Sequence, residues 1–305
     1  MNSIRLSLTD GVSLWFCTFL ILLNIFFFPS IPSALLIIAV NIVLIALILF
    51  LARKESEQPN TFISFLRQWY PLLLIPLVFK ETYGMIRPLW NYDFDDVLIA
   101  IDRWMFGVNP TQWLEKISFP LLTEIFQLAY TSYYLLFLLL GFELYRRKKK
   151  EEFQFAIFCI VYGFFLSYVG YFLVPAVGPR FTLHDFSRLE TELPGLFFTD
   201  FFRAMINAGE SIPANVPHPE TFVQRDVFPS GHTQLTLIVM YFAMKYRVQT
   251  RWFILCAGTL LLFSTVYLRY HYVIDVLGGI LFMAGTIWSA EKMRKGKNSL
   301  YSQLL

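Results

Sequence analysis

The sequence predicts an all-α integral membrane protein, a polytopic helical bundle of about eight transmembrane helices with an extracytosolic cap and one interfacial helix. Three observations carry this. Of 305 residues, 56% are hydrophobic and 18% aromatic while 15% are charged, more apolar surface than one soluble core uses. Eight apolar runs, near 11–28, 33–52, 66–86, 121–144, 153–174, 232–247, 252–269 and 270–290, approach the ~20 helical residues that a bilayer core requires. The basic residues collect in alternate connections between these runs, as the positive-inside rule expects.

The first two runs form a hairpin over 1–60. Run 11–28 lacks a small-residue cleavage site and is too long for a signal h-region, so it is expected to be a retained span. A cytosolic N-terminus gives inner segments carrying Arg5, then Arg53, Lys54 and Arg67, then Arg146 to Lys150, then Lys245, Arg247 and Arg251, and finally Lys292 to Lys297. Both termini are therefore expected in the cytosol. Residues 61–295 make up the principal membrane domain and 296–305 a cytosolic tail. After the third run, residues 91–117 mix acids with Trp104, Met105, Phe106 and Trp113, the pattern of a helix at headgroup level. Residues 175–230 are rich in Pro and Gly and predict the outer cap. The division between the last two runs is the least marked, because YLRYHY contains no turn residue. Cys17, Cys159 and Cys256 lie inside apolar runs, without disulfide or metal-ligand spacing. A scattered net charge of +3 excludes a nucleic-acid partner.

In this topology His184, His218, His232 and His271 all face outward, with Lys80, Arg87, Arg180, Arg225, Arg269 and Asp275. Charges at the edge of apolar spans are costly unless paired or at work. Lys80 and Arg87, two helical turns apart before Pro88, can embrace an anion; the structural alternative is a snorkelling lysine and a stop signal. Pro229-Ser230-Gly231-His232 opens the sixth run, where backbone N–H groups and the helix dipole favour an anion and His232 can donate a proton. The alternative is an ordinary Ser230 N-cap. His271 and Asp275 share a helical face, so the carboxylate can hold one ring nitrogen's proton and present the other nitrogen as a nucleophile. Such a pair also arises by chance. Two histidines and an aspartate can ligate zinc or iron, but Lys80 and Arg87 would repel a metal, so no metal or cofactor is expected.

These motifs resemble the type 2 phosphatidic acid phosphatase superfamily, whose pattern runs Lys-x6-Arg-Pro, Pro-Ser-Gly-His, then Ser-Arg-x5-His-x3-Asp. The resemblance covers residues 80–279. It implies that Lys80 and Arg87 hold a phosphate, Ser230 and Gly231 add hydrogen bonds, His232 is the general acid, and His271 becomes a phosphohistidine with Asp275 behind it, without a metal. The third-motif arginine is replaced by Thr265, after Ser264. Arg180, or less favourably Arg269, is expected to supply the missing contact, since Arg269 points to another helical face than His271. The two extra runs at 121–144 and 153–174 and the segment Ile101 to Gly107 make the chain more similar to the inositol phosphorylceramide synthase-like branch, which moves phosphoryl headgroups between lipids. The resemblance implies a membrane enzyme acting on a sphingolipid or phospholipid phosphoester, either a phosphatase or a phosphotransferase, with water or a lipid alcohol as acceptor. A non-catalytic carrier of lipid-linked phosphate and an inactive scaffold are the alternatives; binding alone requires no nucleophile with an orienting carboxylate.

Overall fold

The computed structural model describes residues 4–214 and 216–303, with side chains through Lys297. The described residues form helices and connecting turns, with no strand. In order these are α1 (Leu8–Phe26), α2 (Ala34–Glu57), α3 (Thr61–Trp69), α4 (Pro71–Leu89), α5 (Asp95–Phe106), α6 (Pro110–Leu114), α7 (Pro120–Thr131), α8 (Tyr133–Arg146), α9 (Lys150–Leu173), α10 (Pro179–Thr182), α11 (Leu189–Glu192), α12 (Thr199–Gly209), α13 (Gly231–Lys245), α14 (Arg251–Tyr267) and α15 (Val273–Gln303).

All eight predicted apolar runs are largely helical, but fewer reach spanning length. Among the described residues, five helices are long and apolar enough to cross a bilayer: Leu8–Phe26, Ala34–Glu57, Thr61–Leu89, Lys150–Leu173 and Val273–Lys297. A sixth is reached if α7 and α8 count as one span. The run 121–144 is not straight, because its two helices meet at 47°. At the break Ser132 returns its hydroxyl to the carbonyl of Ala129 at 2.7 Å, a local bond that competes with the helix ladder. Helices α13 and α14 have 15 and 17 residues, about 23 and 26 Å at the helical rise, short of the ~30 Å hydrocarbon core.

Helix α9 is the hub, packing against α1, α4, α8, α13 and α15, and buries Phe158, Phe165 and Cys159 completely or nearly so. Helix α2, with mean hydropathy 3.2, leaves Leu35, Leu36, Val43 and Phe50 exposed, the composition of a lipid-facing surface. Lipid tails are as apolar as leucine, so the helices associate through close packing and interhelical hydrogen bonds. Gln234 supplies such a bond, donating to the carbonyl of Gly163 at 3.1 Å and to Thr286 Oγ1 at 3.0 Å. A side chain at Gly163 would lie 2.9 Å from Ile238 Cδ1, so the glycine sets this approach.

The predicted interfacial segment resolves into α5, closed by Gly107 at φ 70°, and the short α6. Helix α5 does more than lie at the surface. Trp104 is 85% exposed, yet Asp95, Leu98, Ile99 and Asp102 form a buried stripe on the opposite face. The turn hidden in YLRYHY lies at Leu268–Tyr272, between α14 and α15, with Arg269 at φ 67°. Its fold-back is held by one acceptor, the carbonyl of Thr265, which takes the N–H groups of Tyr270 and His271 at 3.0 Å each.

Candidate active site

Three segments meet at one end of the bundle: the loop 174–180 after α9, the segment 223–232 entering α13, and the turn 268–272. Acids of α5 tie them together. Asp95 accepts the backbone N–H groups of Val177 and Gly178 at 2.9 and 2.8 Å and the Tyr272 hydroxyl at 2.7 Å. Asp102 caps α15, accepting the N–H groups of Val273 and Ile274 at 2.8 and 2.9 Å. Arg180 N–H donates to the Arg269 carbonyl at 3.1 Å, and Ser230 N–H to the Asp275 carbonyl at 3.0 Å. Gly178 is required here: its φ is 97°, and a Cβ would stand 3.0 Å from the Tyr270 carbonyl. Gly279 lets α15 approach this junction, since its Cβ would lie 2.7 Å from the Ser230 carbonyl.

These segments enclose a cavity lined by Tyr130, Val177, Arg180, Glu210, Asp226, Val227, His232, Tyr270 and His271. Its open volume is about 20 Å³, room for about one water-sized group. His271 is 4% exposed. Its Nδ1 lies 3.0 Å from the Val227 carbonyl and 3.5 Å from Asp275 Oδ2. A carbonyl can only accept, so this contact assigns the ring proton to Nδ1 and leaves Nε2 unprotonated. Burial pushes His271 down to about 4, opposed by the Asp226 charge and the bond to Val227, while Arg180 adds to the fall. The imidazole is therefore neutral at pH 7. Asp275 is fully buried; one oxygen accepts Tyr272 N–H at 2.8 Å and the other has no hydrogen-bond partner.

His232 lies between aromatic rings, its centroid 4.3 Å from Tyr130 and 4.2 Å from Tyr133, and 5.9 Å from the His271 ring. The Tyr130 hydroxyl is 3.4 Å from its Nδ1. Arg180, 3% exposed, stacks 4.7 Å from both Phe181 and Tyr270. Its guanidinium donates to Asn207 Oδ1 at 3.1 Å and pairs with Glu210. Such a planar fork, clamped between rings, matches a carboxylate or phosphate. Burial raises the affinity of Asp226 for its proton, while His271, Arg180 and Lys80 pull it down.

The structure thus brings Arg180, His232 and His271 into one cavity, with Asp275 behind His271. Ser230 caps α13, accepting Thr233 N–H at 3.2 Å, and Gly231 packs against the Tyr171 hydroxyl, which would stand 2.5 Å from a Cβ; neither lines the cavity. Lys80 and Arg87 reach the connection between α9 and α13 at other points. Lys80 donates to the Gly209 carbonyl and to Ser211 Oγ at 2.9 Å, on either side of Glu210, and Arg87 donates to the Thr221 carbonyl. Arg269 turns away to pair with Glu192 and with Glu115, the latter at 3.4 Å. Among the described residues, the one group of His, Cys, Asp or Glu with ligand atoms all within 4.8 Å is Glu115, His184 and Glu192. That trio excludes His232, His271 and Asp275 and already holds the Arg269 cation.

Sequence reasoning missed Asp226, Glu210, Val227 and the two α5 acids. Asp95 and Asp102 left a visible trace, because they share the i, i+3, i+4, i+7 stripe with Leu98 and Ile99 and so fall on the apolar face. Val227 acts through its carbonyl, which no residue type announces. Neither a curated protein nor a solved structure matches the chain. The model of the PAP2 superfamily matches residues 96–289, a range that holds Arg180, His232, His271 and Asp275 and begins after Lys80 and Arg87. The chain therefore belongs to the PAP2 superfamily, whose members are generally phosphatases or phosphotransferases.

Proposed function

We propose that the chain is a membrane enzyme that cleaves or transfers a lipid phosphoester through a phosphohistidine on His271. The observation that supports it most is the convergence of Arg180, His232 and His271 on one cavity, within the superfamily range. In this reading Nε2 of His271 attacks phosphorus in line, forming P–N as the bond to the leaving oxygen breaks. Arg180 takes the phosphoryl oxygens in place of the Glu210 carboxylate, filling the position left by Thr265, and helps balance the spreading charge. His232 protonates the leaving oxygen, then accepts the proton of the water or lipid hydroxyl that cleaves P–N. Val227 and Asp275 hold the proton on Nδ1 throughout. Lys80 and Arg87 act on the cap, holding the segments around Glu210 and Thr221.

The same reading takes α1, α2, α3 with α4, α7 with α8, α9, α13, α14 and α15 as the membrane-crossing units, with both termini cytosolic and the cavity on the extracytosolic face. The layout favours headgroup transfer of the inositol phosphorylceramide synthase-like kind over simple hydrolysis. The test is incubation of purified protein with phosphorus-labelled phosphatidic acid and with labelled phospholipids, with and without ceramide or diacylglycerol. Acid-labile label on His271 and a new headgroup lipid are expected, with both lost in His271→Ala. Full turnover in His271→Ala would overturn the mechanism; free phosphate as sole product would make the enzyme a phosphatase.

A further inference from the structure

We propose that the opposite end of the bundle carries a second ligand site, which holds one anionic glycerophospholipid. Lys150 opens α9 there, while Gly170 near the other end of the same helix packs against Pro229. The intervening helix is about 30 Å long, so this site is separate from the His271 cavity and independent of its chemistry.

Two adjoining spaces define the site. The first is a cavity of about 760 Å³ lined by Arg5, Arg67, Lys150 and Lys297. Glu55 also borders it. Arg67 is anchored by Glu55 and Asp10, both at 2.5 Å, and Lys297 donates to the Leu6 carbonyl at 2.7 Å. The two carboxylates balance Arg67, while Arg5 and Lys150 give the wall its positive character. The N-terminal turns of α1 and α9 border the space through Ser7, Thr9 and Lys150, and helix N-termini add further positive potential. This wall suits a phosphate group.

The second space is an apolar groove of about 140 Å³ between α4, α8 and α9, floored by residues such as Ile75, Phe137 and Phe164. Gln68 and Ile157 line both spaces, so the basic cavity and the apolar groove adjoin at one threshold. Exposed Leu72 and Leu138 flank the groove. A soluble anion would use the cavity alone. A phospholipid uses both, with its phosphate beside Arg5 and Lys150 and an acyl chain passing Ile157 into the groove. Basic residues at the ends of membrane helices attract anionic headgroups in this way.

The experiment is native mass spectrometry of the full chain in detergent, titrated with phosphatidylglycerol, with phosphatidylcholine of the same chains, or with inorganic phosphate. One phosphatidylglycerol is expected to bind at least tenfold more tightly than phosphatidylcholine. Lys150→Glu should weaken it at least tenfold, and Ile157→Trp should exclude the chain and weaken it similarly. Raising salt from 0.1 to 1 M, which shortens the screening length from about 10 to about 3 Å, should weaken binding to the unaltered protein and needs no variant to fold. Equal affinity for the two lipids, no response to salt, or unchanged binding in both folded variants would overturn the proposal. Displacement of the lipid by millimolar phosphate would identify a soluble-anion site and overturn it as well.

Discussion

The titration of His271 tests the site most directly, because it needs no substrate. Burial lowers this histidine from 6.5 to about 4. At pH 5.5 an ordinary histidine is about 90% protonated, whereas one titrating near 4 is about 3% protonated. The His271 imidazole therefore stays neutral in mild acid that would protonate an exposed one. Histidine-labelled protein followed by NMR from pH 3.5 to 8 gives the midpoint, with His271→Gln assigning the signal among the four histidines. Nδ1 should carry the proton throughout the neutral range. The folded site binds this proton less readily than the unfolded chain, so stability is highest above 6.5 and falls as pH drops towards 4. Over that window the His271 share of the loss is about 3 kcal/mol; His271→Gln should remove that share and leave the one from His184, which burial also lowers to about 4. A midpoint between 6 and 7, or a proton on Nε2 at pH 7, would refute both the burial argument and the role of the Val227 carbonyl.

Other consequences can be measured on single variants. Arg180→Ala should lower turnover by about 10²–10³-fold, the scale for one oxyanion ligand, and Arg180→Lys should recover little because a point charge lacks the fork clamped between Phe181 and Tyr270; steady-state kinetics reads both. Asp102→Ala leaves two N–H groups at the start of α15 without their acceptor and should cost about 2 kcal/mol, seen as a lower melting temperature together with lost activity. Gly178→Ala meets both a positive φ and the Tyr270 carbonyl, so it should destabilise by about 2 kcal/mol or more. Gly107→Ala, at φ 70° with nothing within 4 Å, should cost about 1 kcal/mol and serves as its comparison in the same thermal assay.

Burial explains why the cations of α4 and α10 are not equivalent. Lys80 is exposed midway along α4 and meets the segment 209–211 on both sides of Glu210, whereas Arg180 is buried against the ring of Tyr270, one residue before His271. A charge clamped in a closed, aromatic-walled site is less screened and keeps a fixed geometry. Under the proposed function, this asymmetry favours Arg180 as the phosphate ligand and Lys80 as the residue that positions Glu210.

Much of this was legible in the residues themselves. Hydropathy alone marked the eight helical runs, because long apolar stretches leave few alternatives to a helix in lipid, and the His-x3-Asp spacing brought His271 beside Asp275, although His271 lies in the turn before α15 and not on a shared helical face. Tertiary structure decided what depends on neighbours distant in the chain. It broke the run 121–144 at Ser132, placed a turn at Arg269 without glycine, and converted the α5 acids from interfacial charges into backbone anchors. It also set Arg180 rather than Arg269 beside His271 and gave the Nδ1 proton a carbonyl, Val227, as its nearest partner. Periodicity reports only which way a residue points along its own helix. Which cation reaches the cavity, and which acceptor meets a ring nitrogen, follow from how separate segments pack, and that information lies in no single stretch of chain.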